Sequence, residues 1–161
     1  MYRAVLTADS NNAPAHINLG KMLAARQDLA NAIAHYQAAL RANPDSAVAH
    51  YNLGNALTAT GSAEALGHYA EAARLKPDFA EARFNHGLML AKQGRGAEAL
   101  AEFAEVVRLK PEFADGRFNH GVALARAGRF REAAAEFEAT LKLQPDNASA
   151  RKFLEQARAR Q

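Results

Sequence analysis

Apolar residues recur along this chain at spacings of three and four, the pattern that places them on one face of a helix. The pattern is interrupted at regular points by a glycine, such as Gly94 or Gly128, and by a proline, such as Pro77 or Pro111. Both residues are helix-ending signals. Each stretch between two prolines therefore predicts a helix, a tight turn and a second helix.

This helix–turn–helix pattern is repeated four times. The segment "RFNHG" occurs at 83–87 and again at 117–121. Four glycines occupy equivalent positions, and each is followed by an alanine, by an aromatic residue four positions later, and by a proline. The sets are Gly20, Ala32, Tyr36 and Pro44; Gly54, Ala65, Tyr69 and Pro77; Gly87, Ala99, Phe103 and Pro111; Gly121, Ala133, Phe137 and Pro145. We predict repeats at 13–46, 47–79, 80–113 and 114–147.

The repeats predict two local features. The second repeat is one residue shorter between Gly61 and Ala65, so we expect a shortened loop with the helix packing kept. Glycine within a helix costs about 1 kcal/mol relative to alanine. The repeated helical glycines therefore need compensation from packing, and we expect it from the small alanines of the paired helix. These are Ala32, Ala65, Ala99 and Ala133.

The recurring glycine, alanine, aromatic and proline resemble the tetratricopeptide repeat family over residues 13–147. This resemblance implies an all-α, right-handed solenoid of antiparallel helix pairs, a superhelix without catalytic activity that binds proteins or extended peptides. The chain departs from the family where a large aromatic residue is usual, four residues before the glycine, and where a leucine usually precedes the glycine. The departing residues are His16, His50, Arg83 and Arg117 at the first position, and His86 and His120 at the second.

The flanks fit the same repeat. Residues 2–12 overlay 36–46, with Tyr2, Val5 and Leu6 matching Tyr36, Ala39 and Leu40, so they predict the second helix of a partial repeat. Residues 148–161 place Phe153, Leu154 and Ala157 on one face, which predicts a C-terminal capping helix.

The composition excludes several classes of protein. Cysteine is absent, so disulfides, thiol nucleophiles and cysteine-bound metals are excluded. No signal-peptide pattern and no apolar run of 18 residues is present, so we expect a soluble protein without a membrane partner, cytoplasmic rather than secreted.

The net charge of +3 comes from the C-terminal helix alone. Basic and acidic side chains balance over residues 1–150, and the excess is supplied by Arg151, Lys152, Arg158 and Arg160 against Glu155. Nucleic-acid binding needs a basic stripe that contacts several phosphates. We therefore interpret these charges as a solvated helix face and expect no nucleic-acid partner.

The residues that suggest chemistry do not form a catalytic or metal-binding pattern. The histidines recur one repeat apart, as His16 with His50, His35 with His68, and His86 with His120. Metal ligands must converge on one point, so we expect no histidine metal site, and we expect His86 and His120 to be packed and hydrogen-bonded. The segment "GRGAEA" at 94–99 lacks the preceding strand of a dinucleotide site and is interpreted as a turn. We predict no cofactor and no enzyme activity.

Asparagines form the candidate binding site. On the first helix of each repeat, the stripe that faces away from the paired helix carries one asparagine two residues before the glycine. An amide both donates and accepts hydrogen bonds, so it can hold a peptide backbone without reading its sequence. The candidate peptide-binding residues are Asn18, Asn52, Asn55, Asn85 and Asn119, with Tyr51, Phe84 and Phe118 for apolar contacts and Lys92 and Arg126 one turn further on.

This asparagine column and the "PDFAEA…N…G" spacing resemble the superhelical region of O-linked N-acetylglucosamine transferases, whose asparagine ladder holds substrate peptides. Three interpretations stay open. The chain is a peptide- or protein-binding scaffold, a self-assembly module that forms a homo-oligomer through its unpaired N-terminal helix, or a substrate-targeting fragment of a larger glycosyltransferase. In all three, part of the asparagine signal could be structural, because this asparagine is frequent across the repeat family.

Overall fold

The structure is a computed structural model and describes residues 11–160, in which every regular element is an α-helix. The helices are α1 (Ala13–Ala25), α2 (Leu29–Ala42), α3 (Ala47–Ala59), α4 (Ala65–Leu75), α5 (Ala80–Lys92), α6 (Gly96–Leu109), α7 (Ala114–Arg126), α8 (Phe130–Leu143) and α9 (Ala148–Arg158). The all-α fold of paired helices is therefore confirmed. Most of the helix predicted over 2–12 lies outside the described residues, and Asn12 is the N-cap of α1.

The chain divides into two compact units at Ala82 and Arg83, within α5. In the first unit, α1 pairs with α2 and α3 pairs with α4. Tyr36 and Tyr69 are the large side chains at the centre of these pairs, each only 2% exposed. Asn12, Asp28 and Ser46 cap the first three helices by accepting a backbone N–H with the side-chain oxygen, which satisfies a donor that the helix leaves unpaired.

The second unit has the same construction. Helix α7 packs against both α6 and α8, and α9 packs on α8. The C-terminal core contains Phe137, Leu124, Leu154 and Ala157, with Phe153 packed against it at its edge. Helix α9 thus contributes Leu154 and Ala157 to the core of the last helix pair.

The helical glycines make room for an aromatic ring, and not for the alanine that the sequence suggested. A Cβ built on Gly87 would lie 2.8 Å from Cε1 of Phe103, and one on Gly121 would lie 2.7 Å from Cε1 of Phe137. Gly20 and Gly54 meet Tyr36 and Tyr69 in the same way. The alanine lies one helical turn before the ring and is buried as well, but the ring is the group that reaches the glycine.

The one-residue deletion in the second repeat shortens a helix, whereas we expected it to shorten the loop. Helix α4 has 11 residues and begins at Ala65, while its counterparts α2, α6 and α8 have 14 residues and begin three residues before the equivalent alanine. The contact between Gly54 and Tyr69 is kept. The deletion therefore leaves the segment before Ala65 outside the α-helix, where the backbone makes i→i+3 hydrogen bonds, and the pairing of α3 with α4 stays intact.

The turns between paired helices share one backbone conformation. Gly61, Gly94 and Gly128 have φ values of 76°, 77° and 78°, and Gln27 has a φ of 63° at the equivalent place in the first repeat. This left-handed region is open to glycine at no steric cost and is strained for most other residues. The "GRGAEA" segment begins in one of these turns, with Gly94 and Arg95, and its last four residues form the start of α6.

Candidate functional site

The candidate asparagines lie half-buried on the first helix of each repeat. Asn52 Nδ2 donates to the Val48 carbonyl oxygen at 2.8 Å, and Asn119 Nδ2 donates to the Asp115 carbonyl oxygen at 2.8 Å. Each bond uses one of the two N–H donors of the amide. The bond to the turn before it holds the amide against its own helix, so these two asparagines have a local structural contact in addition to any role in binding.

Asn55 has a different environment from the other candidates. Its Oδ1 accepts a hydrogen bond of 2.9 Å from the hydroxyl of Tyr69, and that hydroxyl also lies 3.0 Å from Thr58 Oγ1. Tyr69 is the buried ring that contacts Gly54. Asn55 therefore satisfies a buried hydroxyl of the helix pair.

The candidate aromatic residues take part in packing between helices. The Tyr51 ring lies 4.8 Å from Phe79, the Phe84 ring 4.9 Å from Phe113, and the Phe118 ring 5.6 Å from Phe153, measured between centroids. All three are half-buried. Part of each ring is therefore already covered by a neighbouring ring, and only the remainder is open to a ligand.

In the second unit, α5, α6 and α7 enclose a groove of about 470 Å³. Its floor is apolar, and Asn119, Lys92 and Arg126 bring polar groups to its lining. Neither cation pairs with a carboxylate within residues 11–160. The lining residues are Ala91, Lys92, Gly96, Ala97, Ala99, Leu100, Phe103, Asn119, Val122, Ala123, Arg126 and Ala127. Three candidate residues thus line one concave surface.

In the first unit, a pair of histidines links the two helices of each repeat. His16 Nδ1 lies 2.9 Å from His35 Nδ1, and His50 Nδ1 lies 3.0 Å from His68 Nδ1. We had matched histidines one repeat apart, but the histidines in contact belong to the same repeat. Burial lowers the pKa of His68 below its usual 6.5, and His50 lowers it further, while Glu64 raises it in part.

The tautomer of His50 follows from its second contact. His50 Nε2 lies 3.0 Å from the carbonyl oxygen of Pro44. A carbonyl oxygen only accepts, so Nε2 carries the proton and the neutral ring presents the lone pair of Nδ1. The link is therefore donated by His68 Nδ1–H and accepted by His50 Nδ1.

In the second unit, the same positions carry an arginine and a glutamate. Arg83 Nη1 lies 3.0 Å from Glu102 Oε2, and Arg117 Nη1 lies 2.9 Å from Glu136 Oε2. Burial would raise the pKa of Glu102, but His86 and Arg83 outweigh it and hold the pKa below the usual 4.5. Glu136 has the same shift from burial, His120 and Arg117. These are ion pairs whose side chains are about one-fifth exposed, and not surface pairs.

His86 and His120 are packed beside these carboxylates, as expected, but their hydrogen bonds are poorly directed. Nδ1 of His86 lies 3.2 Å from Glu102 Oε1, and Nδ1 of His120 lies 3.3 Å from Glu136 Oε1. Both nitrogens are buried and lack a partner on the line of the ring N–H. Each carboxylate therefore lies against both a histidine and an arginine, and its directed hydrogen bond comes from the arginine.

Sequence reasoning missed these links, although the sequence contains a signal for them. The position four residues before the helical glycine is His, His, Arg and Arg in the four repeats, and the position before the aromatic residue is His, His, Glu and Glu. The two positions change together in chemically matched pairs. Comparison of the repeats column by column would have predicted the contact.

Two further features are absent from residues 11–160. No three histidine, aspartate or glutamate side chains in this range come together as a set of metal ligands. None of its helices combines the length and the apolarity needed to cross a lipid bilayer.

Sequence comparison identifies the class of protein. A family described as TPR repeat matches residues 20–61, and families described as tetratricopeptide repeat match residues 55–112 and 90–157. Residues 20–157 are therefore tetratricopeptide repeats, a class that provides scaffolds for protein interaction. No curated protein sequence matches the chain.

Solved structures show the same fold. A crystal structure of MamA is 26% identical with a TM-score of 0.81, and the match covers 92% of this chain and 87% of the other. MamA from Desulfovibrio magneticus RS-1, from residue 41 to its end, is 19% identical with a TM-score of 0.81, covering 92% and 84%. YrrB, a TPR protein with an unusual peptide-binding site, is 24% identical with a TM-score of 0.51, covering 94% and 96%.

Proposed function

We propose that this chain is a non-catalytic scaffold that binds an extended peptide or protein segment along the first helices of its repeats. The groove of the second unit is the observation that carries the proposal, because it combines an apolar floor with an amide and two cations. Binding sites in proteins have this composition, with mostly apolar walls and a few polar groups that fix orientation.

The asparagines would supply contacts to the peptide backbone. The bond that Asn119 makes to Asp115 uses one N–H and fixes the amide on its helix. A side chain already held in one rotamer loses less entropy when a ligand binds. The local contact and the binding role are therefore compatible, and the same reasoning applies to Asn52.

Lys92 and Arg126 indicate the chemistry of the ligand. Both are exposed cations at the groove of the second unit. A carboxylate of the ligand would pair with them, while an apolar side chain next to it would lie on the floor formed by Leu100 and Val122. The preferred ligand is an extended segment in which an apolar residue is close to an acidic group. The asparagine spacing resembles that of glycosyltransferase repeats, and this resemblance supports recognition of the peptide backbone by the asparagines.

The test is the combined variant Asn52→Ala, Asn85→Ala and Asn119→Ala, assayed against extended peptides selected from a random display library. A net loss of about 1 kcal/mol for each hydrogen bond predicts that affinity, measured by fluorescence anisotropy, falls by roughly a hundredfold. Stability should change little, because surface substitutions are usually within about 0.5 kcal/mol. Asn31→Ala, on α2, is the matched control and should keep full affinity.

A second variant tests recognition of the ligand's acidic group independently of recognition of its backbone. The double variant Lys92→Gln with Arg126→Gln should bind acidic peptides more weakly than the wild type does. Its affinity for peptides without a carboxylate side chain should be unchanged. If the asparagine variant unfolds early while peptides still bind, the asparagines are structural and the proposal fails.

A further inference from the structure

The histidine link of the second repeat brings two ring nitrogens to a distance that a metal ion also requires. His50 Nδ1 and His68 Nδ1 are 3.0 Å apart, on α3 and α4. Imidazole nitrogens bind transition metals at about 2.0–2.1 Å. Two such ligands at a right angle are about 2.9 Å apart, and at a tetrahedral angle about 3.3 Å apart. The observed distance matches the right angle, which square-planar Cu²⁺ and Ni²⁺ prefer.

The protonation states of the pair allow this binding without a change of net charge. His50 already presents the lone pair of Nδ1, because its Nε2–H donates to the Pro44 carbonyl oxygen. His68 has to move its proton from Nδ1 to Nε2, and both tautomers are neutral. The bond from His50 to Pro44 is the kind of outer contact that orients a metal-ligating histidine.

The surroundings of the pair also favour a cation. Both rings are half-buried, so water can reach the open coordination positions. The carboxylate of Glu64 is close enough to act electrostatically on His68. The nearby cation Arg74 is neutralised by Glu71, with the charged atoms 2.7 Å apart.

We propose that His50 and His68 form a two-histidine binding site for Cu²⁺ or Ni²⁺, with water in the remaining coordination positions. The sequence predicted no histidine metal site, because the spacing of the histidines does not show that His50 and His68 meet across a helix pair. The first repeat contains a second copy, because His16 Nδ1 and His35 Nδ1 are 2.9 Å apart. The ion pairs at the same positions in the second unit cannot bind a cation in this way.

The second unit also supplies a matched control. The variant His50→Arg with His68→Glu replaces the histidine link by the ion pair that joins the same positions of the third and fourth repeats. It removes both ligands and keeps a link between the helices. His16→Arg with His35→Glu does the same in the first repeat, and all variants retain His86 and His120 as a measure of background binding.

The experiment is a titration of the metal-free protein with Cu²⁺ and with Ni²⁺ near neutral pH. Binding is monitored by calorimetry and, for Cu²⁺, also by electron paramagnetic resonance. We expect two bound ions in the wild type, one in each double variant and none in the fourfold variant. The copper spectrum should show coupling to two imidazole nitrogens. Excess Ni²⁺ should raise the denaturation midpoint of the wild type and not that of the fourfold variant, because a ligand of the folded state stabilises it.

Two results would overturn the proposal. One is equal metal binding by the wild type and the fourfold variant, since the ions would then lie elsewhere. The other is a wild-type copper spectrum without nitrogen coupling, which does not depend on whether any variant folds.

Discussion

Replacement of Gly87 by alanine tests the contact that fixes each helix pair. Two effects oppose each other. Alanine is better than glycine within a helix by about 1 kcal/mol. The new Cβ would lie 2.8 Å from Cε1 of Phe103 and 3.1 Å from Cδ1 and Cζ of the same ring. Phe103 is 2% exposed and is packed on its other sides, so it cannot simply swing away.

The magnitude follows from a comparison with a second helical glycine. Overpacking a core typically costs about 1–3 kcal/mol. A Cβ on Gly67, in α4, would meet no atom within 4 Å. Gly67→Ala therefore measures the propensity gain, at most about 1 kcal/mol near a helix end. Gly87→Ala should be less stable than Gly67→Ala by about 1–3 kcal/mol, the overpacking cost.

The assay is unfolding by denaturant, monitored by the circular dichroism signal of the helices. It is applied to the single variants and to Gly87→Ala combined with Phe103→Leu. The smaller leucine leaves space for the Cβ, so Gly87→Ala should cost less in the Phe103→Leu background than in the wild type. The reasoning is refuted if Gly87→Ala stabilises the protein as much as Gly67→Ala does, or if its cost is the same in both backgrounds.

Two other predictions follow from single contacts, and a third follows from the sequence of residues 2–12. The pKa of Glu102 is lowered on folding, so its ion pair stabilises the protein above pH 4.5, and this contribution is lost as the pH falls below 4.5. Below pH 4.5, the stability of Glu102→Gln should therefore depend less on pH than that of the wild type, as measured by acid unfolding. Asn147 Oδ1 accepts from the Ala150 N–H at 2.9 Å at the start of α9, so Asn147→Ala should lower the denaturation midpoint by an amount equivalent to about 1 kcal/mol. Leu6→Lys should weaken self-association measured by light scattering, and a wild type that stays monomeric at high concentration would contradict assembly through residues 2–12.

The helices and their pairing were predictable from the sequence because they depend on periodic features that four copies reinforce. Glycine, aromatic residue and proline recur at equivalent positions of each repeat, so each repeat supports the interpretation of the others. The length of α4 was not predictable in this way, since a deletion of one residue can be absorbed by a loop or by a helix. The choice depends on whether Ser62, Ala63 and Glu64 form an α-helical turn, and in the structure their carbonyl oxygens accept from the N–H three residues later instead.

The candidate site was predictable only in part, for a physical reason. Helical periodicity indicates which side of a helix carries Asn52 or Phe84, but it does not show what already contacts that side chain. Phe84 packs on Phe113, and Asn55 binds the Tyr69 hydroxyl. Such contacts depend on rotamers and on neighbouring turns, which the spacing of residues does not encode.

The link between paired helices has a consequence for how such a chain can change over time. Both partners of every link, whether His50 with His68 or Arg83 with Glu102, lie 18 or 19 residues apart within one repeat. A gene duplication that copies a whole repeat therefore copies both partners, and a recombination with its breakpoint at a repeat boundary does not separate them. Repeats linked by a histidine pair and repeats linked by an ion pair can be inherited in the same array, because each link is complete within its own repeat.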